Sequence, residues 1–180
     1  IAAWIRTQIQ GRPLWLVGHS LGGLTGIAHH ARHGRLFDGI VAISSGVWGF
    51  ESSWLVYWQR RALMTVAGWL VRLIGRLPSR WWGNSTDEAA TYWAQLVSWT
   101  KHRCWRARDG FDYHQAAQDI DVPCIGLRGS RDRLVRLSDH TELLRMPQAE
   151  FCDVADRGHM STVRDAAEPI IKAIRRHTAS

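Results

Sequence analysis

The run Gly18-His19-Ser20-Leu21-Gly22 places one hydroxyl between two glycines, where the apolar stretch PLWLVG (Pro13 to Gly18) gives way to LGGLTGIAHHARHG. This is a G-x-S-x-G pattern at a strand-to-helix junction, the arrangement of a nucleophile elbow. The serine of such an elbow is held in a strained backbone conformation at the tip of a sharp turn. The residues two before and two after it lack side chains because strand and helix pass closely. Gly18 and Gly22 meet that requirement, and His19 is expected to point away from the serine oxygen. A helix opening at Leu21 aims unpaired N–H groups and its positive end at whatever forms on Ser20 Oγ, so the Leu21 N–H is the expected oxyanion donor. A phosphate cradle is the competing use of such a turn, but no G-x-G-x-x-G is present and no lysine follows.

A serine hydroxyl is a poor nucleophile at neutral pH until a base takes its proton, so a histidine and a carboxylate are required downstream. After the apolar run VPCIGLRG comes SRDRLV, which places Asp132 in a loop beyond a strand's carboxyl end. After AEFCDVA comes DRGHMS, which places His159 in the next such loop. Catalytic groups on open α/β sheets collect along that edge. Asp109, Asp112, Asp119 and Asp121 precede a strand, and Asp156 could serve only if its loop folded back. His140 and His177 fall within helical patterns, while His29, His30 and His33 are expected at the surface of the helix after the elbow. The expected triad is therefore Ser20, Asp132 and His159, working by two-step acyl transfer with no metal and no cofactor.

Four apolar runs bounded by turn signals must position these groups: Pro13 to Gly18, Gly39 to Gly46, Val122 to Gly129 and Ala149 to Ala155. Runs apolar on both faces suit a parallel sheet covered by helices. Helical patterns fill the gaps, with Pro169 in the first turn of the last one, where its missing N–H does least harm. The alternation implies an α/β fold. From residue 47 to 113 no strand-like run appears and the text is rich in tryptophan, so residues 47–113 read as a helical insertion. Residues 1–46 and 114–180 then form the sheet-bearing core. Within the insertion, Ser85 and Glu88 make a capping box before Ala89, Trp93, Leu96, Val97 and Thr100 at helical spacing. Trp54, Trp58, Trp69, Trp93 and Trp99 are expected to pack the insertion's own helices and its floor, while the arginines form a solvated face. The alternative is a lipophilic acyl pocket with a basic rim.

The formal charge of +7 comes from 23 Lys and Arg against 16 Asp and Glu, and arginine supplies nearly all of it. The excess is concentrated between Trp48 and Arg108, where Arg60, Arg61, Arg72, Arg76, Arg80, Lys101, Arg103, Arg106 and Arg108 face Glu51, Asp87 and Glu88. Such a segment suits an anionic membrane surface. Base stacking on the aromatics is the rival use, but no nucleic-acid motif accompanies it, and no nucleic-acid partner is expected. The longest charge-free part of the insertion, Ala62 to Val71, is roughly half of what a bilayer-spanning helix needs. Cys104, Cys124 and Cys152 form no CxxC pair, which points to buried reduced thiols and a cytoplasmic protein with peripheral membrane contact at most.

Together GHSLGG, GSRDRLV and GHM closely resemble the α/β-hydrolase superfamily, over essentially the whole chain. Within it the sequence is similar to bacterial hydrolases of the serine aminopeptidase and monoglyceride-lipase type. The resemblance implies an α/β-hydrolase fold with a mostly parallel sheet and residues 47–113 as a helical cap. It also implies a small-molecule acyl ester or lipid-like substrate. Thioester, peptide or amide cleavage, acyl transfer and a non-catalytic binding role are the alternatives on the same fold. It further implies that the family's N-terminal strands, with the second oxyanion donor, precede Ile1. Loss of one donor costs about 2.7 to 4 kcal/mol of transition-state stabilisation, so these 180 residues alone are expected to be nearly inactive and aggregation-prone.

Overall fold

The computed structural model describes residues 2–50, 53–78, 80, 87–165 and 167–178. In chain order the elements begin with α1 (Ala2–Gln8), β1 (Trp15–His19), α2 (Leu21–His33), β2 (Gly39–Ile43) and α3 (Trp54–Ile74). Then come β3 (Arg76–Leu77), β4 (Glu88–Ala89), α4 (Ala90–His102) and α5 (Tyr113–Gln118). The chain ends with β5 (Cys124–Gly129), α6 (Leu137–Leu143), β6 (Ala149–Val154), α7 (His159–Asp165) and α8 (Ala167–Thr178). It divides into two compact units, Ile1–Gly46 with Asp112–Ser180, and Val47–Phe111.

The first unit is built on a parallel sheet of order β1-β2-β5-β6. β2 and β5 lie inside it and are buried along their whole length, which is why both read as uninterrupted apolar runs. Side chains alternate between faces, and each face has its own cover. On one face Val41, Ile43, Ile125 and Leu127 pack with Ala173, Ile170 and Ile174 of α8. On the other, a side chain at Gly26 of α2 would collide with Leu16, and one at Gly126 would collide with His140 and Leu144. Ile171 of α8 is exposed.

The second unit pairs α3 with α4 and adds a two-stranded antiparallel ladder, Arg76 opposite Ala89 and Leu77 opposite Glu88. Sequence reading expected no strand here, because two residues a side are too few to leave a period-2 signature. Ser85 of the expected capping box lies outside the described residues. Glu88 sits in the ladder, its carboxylate accepting from Trp93 Nε1 at 2.6 Å, and α4 opens only at Ala90. α3 stops at Gly75, whose φ of 77° carries its N–H back to the Val71 carbonyl.

Trp99 and Trp105 are buried, and Trp99 Nε1 donates to the Arg106 carbonyl at 2.6 Å. Arg61 ties the two helices together, donating to Tyr57 Oη and the Lys101 carbonyl, each at 3.0 Å. The packing expected of Trp54, Trp58 and Trp69 does not occur: all three are exposed, Trp54 by 74% and Trp69 by 62%. Nor are the arginines uniformly solvated, since Arg60 is buried over the Trp48 ring. Of the three free thiols only Cys124 is fully buried, and burial pushes it up to about 12. Cys152 is exposed, contrary to expectation, because β6 is an edge strand. Among the described residues no helix is long and apolar enough to cross a membrane.

Candidate active site

Ser20 stands between β1 and α2 with φ 52° and ψ −118°. A positive φ on a non-glycine residue is costly and is held only by surrounding structure. Here the Ser20 N–H donates to the Ile43 carbonyl at 2.8 Å, extending the β1–β2 ladder into the turn, and the Ser20 carbonyl accepts from Leu24 N–H at 3.3 Å. A side chain at Gly18 would run into the Gly22–Gly23 backbone, which fixes the first expected close approach. The second is displaced by one residue. A side chain at Gly22 would meet open space, whereas one at Gly23 would strike Ser45 and the Gly18 carbonyl.

Asp132 follows β5 and His159 opens α7 after β6. The two loops are stitched together: Ser130 N–H donates to the Val154 carbonyl, Arg131 N–H to the Arg157 carbonyl, and Asp156 N–H to Ser130 Oγ. Arg131 also pairs with Asp156 at 2.8 Å at the surface. The result is a hydrogen bond between His159 Nδ1 and Asp132 Oδ2 at 2.9 Å, with the Asp132 side chain wholly buried. Asp132 Oδ1 accepts from the Leu134 and Val135 amides at 2.9 and 3.0 Å. Burial pushes the Asp132 carboxyl up, but the hydrogen bonds from His159 and the Val135 amide and the charge of His159 hold it below the usual value. Ser44, buried and with φ 46°, adds a smaller lowering influence from a position that falls short of a hydrogen bond.

The structure thus joins two of the three expected catalytic groups directly. Among the described residues no hydrogen bond links Ser20 Oγ to His159, and the connection runs through its neighbour. His19 Nε2 lies 3.1 Å from the His159 carbonyl, and the two rings are 4.8 Å apart. A carbonyl only accepts, so His19 carries its proton on Nε2. Burial lowers the His19 pKa and favours the neutral ring. Sequence reasoning gave His19 no such contact. It also missed His140, which is buried in α6 with Nδ1 donating to the Ser45 carbonyl at 2.6 Å and so anchors the loop after β2. His29 and His33 are exposed as expected, but His30 is buried beside Phe37.

A parallel sheet with a strained serine turn at its carboxyl edge is the frame of a hydrolase fold, and comparison with known proteins agrees on that fold. The alpha/beta hydrolase family matches residues 1–173, and the chain belongs to it. No curated protein matches. Among solved structures, one of the metagenome-derived lipolytic enzymes LipS and LipT is similar at TM-score 0.63 and 13% identity, over 99% of this chain and 69% of that one. The esterase domain of a Rhodothermus marinus protein is similar at TM-score 0.59 and 14% identity, over 99% and 67%. The monoacylglycerol lipase of Paleococcus ferrophilus is similar at TM-score 0.57 and 17% identity, over 98% and 73%. At these identities the likeness is one of fold.

Proposed function

We propose that this chain carries the catalytic residues of a serine hydrolase that cleaves carboxylic esters, with Ser20 as nucleophile, His159 as general base and acid, and Asp132 as its orienting carboxylate. The observation that carries the reading is the Asp132–His159 pair, its carboxylate buried, packed through His159 against His19, the neighbour of a serine whose φ is 52°. With Nδ1 engaged by Asp132, the free nitrogen of His159 is Nε2, the one that must reach Ser20 Oγ. Catalytic hydrogen bonds of substrate-free sites are often long and tighten in the Michaelis complex.

In the acylation step His159 Nε2 takes the Ser20 proton as Oγ attacks the carbonyl carbon. The Leu21 N–H at the start of α2 stabilises the oxyanion, and His159 returns the proton to the departing alcohol as the C–O bond breaks. Water then gives its proton to His159, attacks the acyl carbon and releases the acid, and the proton returns to Ser20. Asp132 stays ionised throughout and stabilises the imidazolium. The esterases and lipases among the similar structures support an ester or lipid-like substrate. The unit Val47–Phe111, inserted between β2 and α5, is proposed as the cap.

The test is fluorophosphonate labelling of the full-length protein beside its Ser20→Ala variant, with the labelled peptide located by mass spectrometry. Labelling at Ser20, lost in the variant together with hydrolysis of a short soluble ester, is the expected result. A folded wild type that does not label would make the elbow inherited architecture on a binding protein.

A further inference from the structure

α3 is apolar on two opposite sides. Its inward side carries Met64 and Val71, both buried. Its outward side carries Leu55, Trp58, Ala62, Val66, Trp69 and Leu73, spaced three or four residues apart and all exposed, Leu73 by 80%. At about 100° per residue these six fall within an arc of roughly 80°, and at 1.5 Å per residue they form a stripe about 27 Å long. None of the described residues of their own unit covers them. A soluble monomer rarely exposes so continuous an apolar surface without a use.

The chemistry beside the stripe indicates what covers it. α3 holds no acidic residue, and its cations are arginines. Arg61 lies over the Trp58 ring at 5.2 Å and Arg72 over the Trp69 ring at 5.9 Å. Along this flank, between α3 and α4, runs a groove of about 680 Å³ whose lining includes Arg61, Thr65, Trp69, Arg72, Thr91 and Lys101. Tryptophan and arginine side by side, apolar toward one side and cationic toward the other, are the composition of a helix lying at the boundary between acyl chains and anionic headgroups.

We infer that α3 docks the protein on an anionic lipid surface, the Leu55–Leu73 stripe entering the acyl boundary while the groove bearing Arg61, Arg72 and Lys101 takes up headgroup phosphates. The inference rests on the ester-hydrolase reading only in that a lipid surface would present the substrate; the surface itself is independent of Ser20. Membrane attraction of this kind is screened by salt and gains about five-fold in affinity per basic residue near the surface.

The test is co-sedimentation of the full-length protein with vesicles of phosphatidylcholine alone and of phosphatidylcholine mixed with phosphatidylglycerol. Binding is expected only to the mixed vesicles and should weaken steeply as salt is raised. Ser20→Ala should bind like the wild type. Trp58→Ser with Trp69→Ser should lose most of the binding, and Arg72→Gln with Lys101→Gln about 25-fold at low salt. Both double variants should keep the circular-dichroism melt and the hydrolysis of a short soluble ester measured without vesicles. The charge variants alter exposed side chains only, so they remain informative if the tryptophan pair unfolds. Equal binding to both vesicle types, no binding to either, or unchanged binding in the charge variants would overturn the inference. So would self-association that consumes the stripe, which would make a second copy the occupant. A protein that hydrolyses the soluble ester but ignores vesicles would sink the docking surface and leave the triad standing; Ser20→Ala that still hydrolyses would do the reverse.

Discussion

His19 illustrates how a site residue can be in plain view in the sequence and still have its role hidden. Its partner is a backbone carbonyl 140 positions away, and carbonyls leave no mark in a sequence. The pairing of Asp132 with His159 was legible because it follows from side-chain type and from each residue lying after a strand. On the proposed triad His19 would be a positioning residue, since its Nε2–H holds the first residue of α7 and its ring backs the His159 ring. Removing it should loosen the imidazole without touching substrate. Misplacement of a catalytic group by about 1 Å costs up to about a hundredfold in rate. His19→Ala is therefore expected to lower kcat about ten- to a hundredfold with little change in KM. His19→Gln, which can present an N–H near the position of Nε2, should recover much of the loss. Steady-state kinetics on a soluble ester, with thermal melts alongside, checks this; equal losses in both variants would mean that the ring merely fills space.

At the scale of elements, the strands were legible wherever burial imposed a composition. β2 and β5, inside the sheet, read as continuous apolar runs and were placed to within a few residues. The β3–β4 ladder was not legible, since two residues carry no period. The outward side of α3 was misjudged for a related reason: periodicity marks an apolar stripe but cannot say whether protein covers it. The elbow shows the same limit at finer grain. The pattern G-x-S-x-G singles out Gly22, yet the space is short at Gly23. Gly23→Ala is expected to push Ser45 or the Gly18 carbonyl aside and cost about 1–3 kcal/mol, the usual penalty of overpacking. Gly22→Ala projects into open space on a helix and should be neutral or gain up to about 1 kcal/mol of helix propensity. Denaturant melts of the two variants separate these outcomes, and a Gly22→Ala variant as damaged as Gly23→Ala would refute the assignment.

Over the whole molecule the buried histidines set an acid limit. Burial lowers the pKa of His19, His30 and His140 from 6.5, so near neutral pH they fold uncharged. Below 6.5 the unfolded chain binds protons that the folded chain refuses, and stability falls as pH falls. The carboxylates act in a lower window. Burial pushes Asp38 and Asp132 up, but Arg6 and the Leu14 amide at the first, and His159 and the Val135 amide at the second, hold both below 3.8. Their contribution is complete above 3.8 and is lost as pH drops toward their folded values. The melting temperature should therefore begin to decline below about pH 6.5 and fall further below about pH 4. His140 is the most enclosed of the three, with Arg128 disfavouring its charge and Asp153 partly offsetting that. While it stays unprotonated it contributes up to about 1.4 kcal/mol per pH unit to the decline. His140→Asn keeps a side-chain N–H for the Ser45 carbonyl but cannot titrate, so it should flatten the loss of stability between pH 6.5 and 5. An unchanged slope in that variant would place the acid sensitivity in His30 and His19 instead.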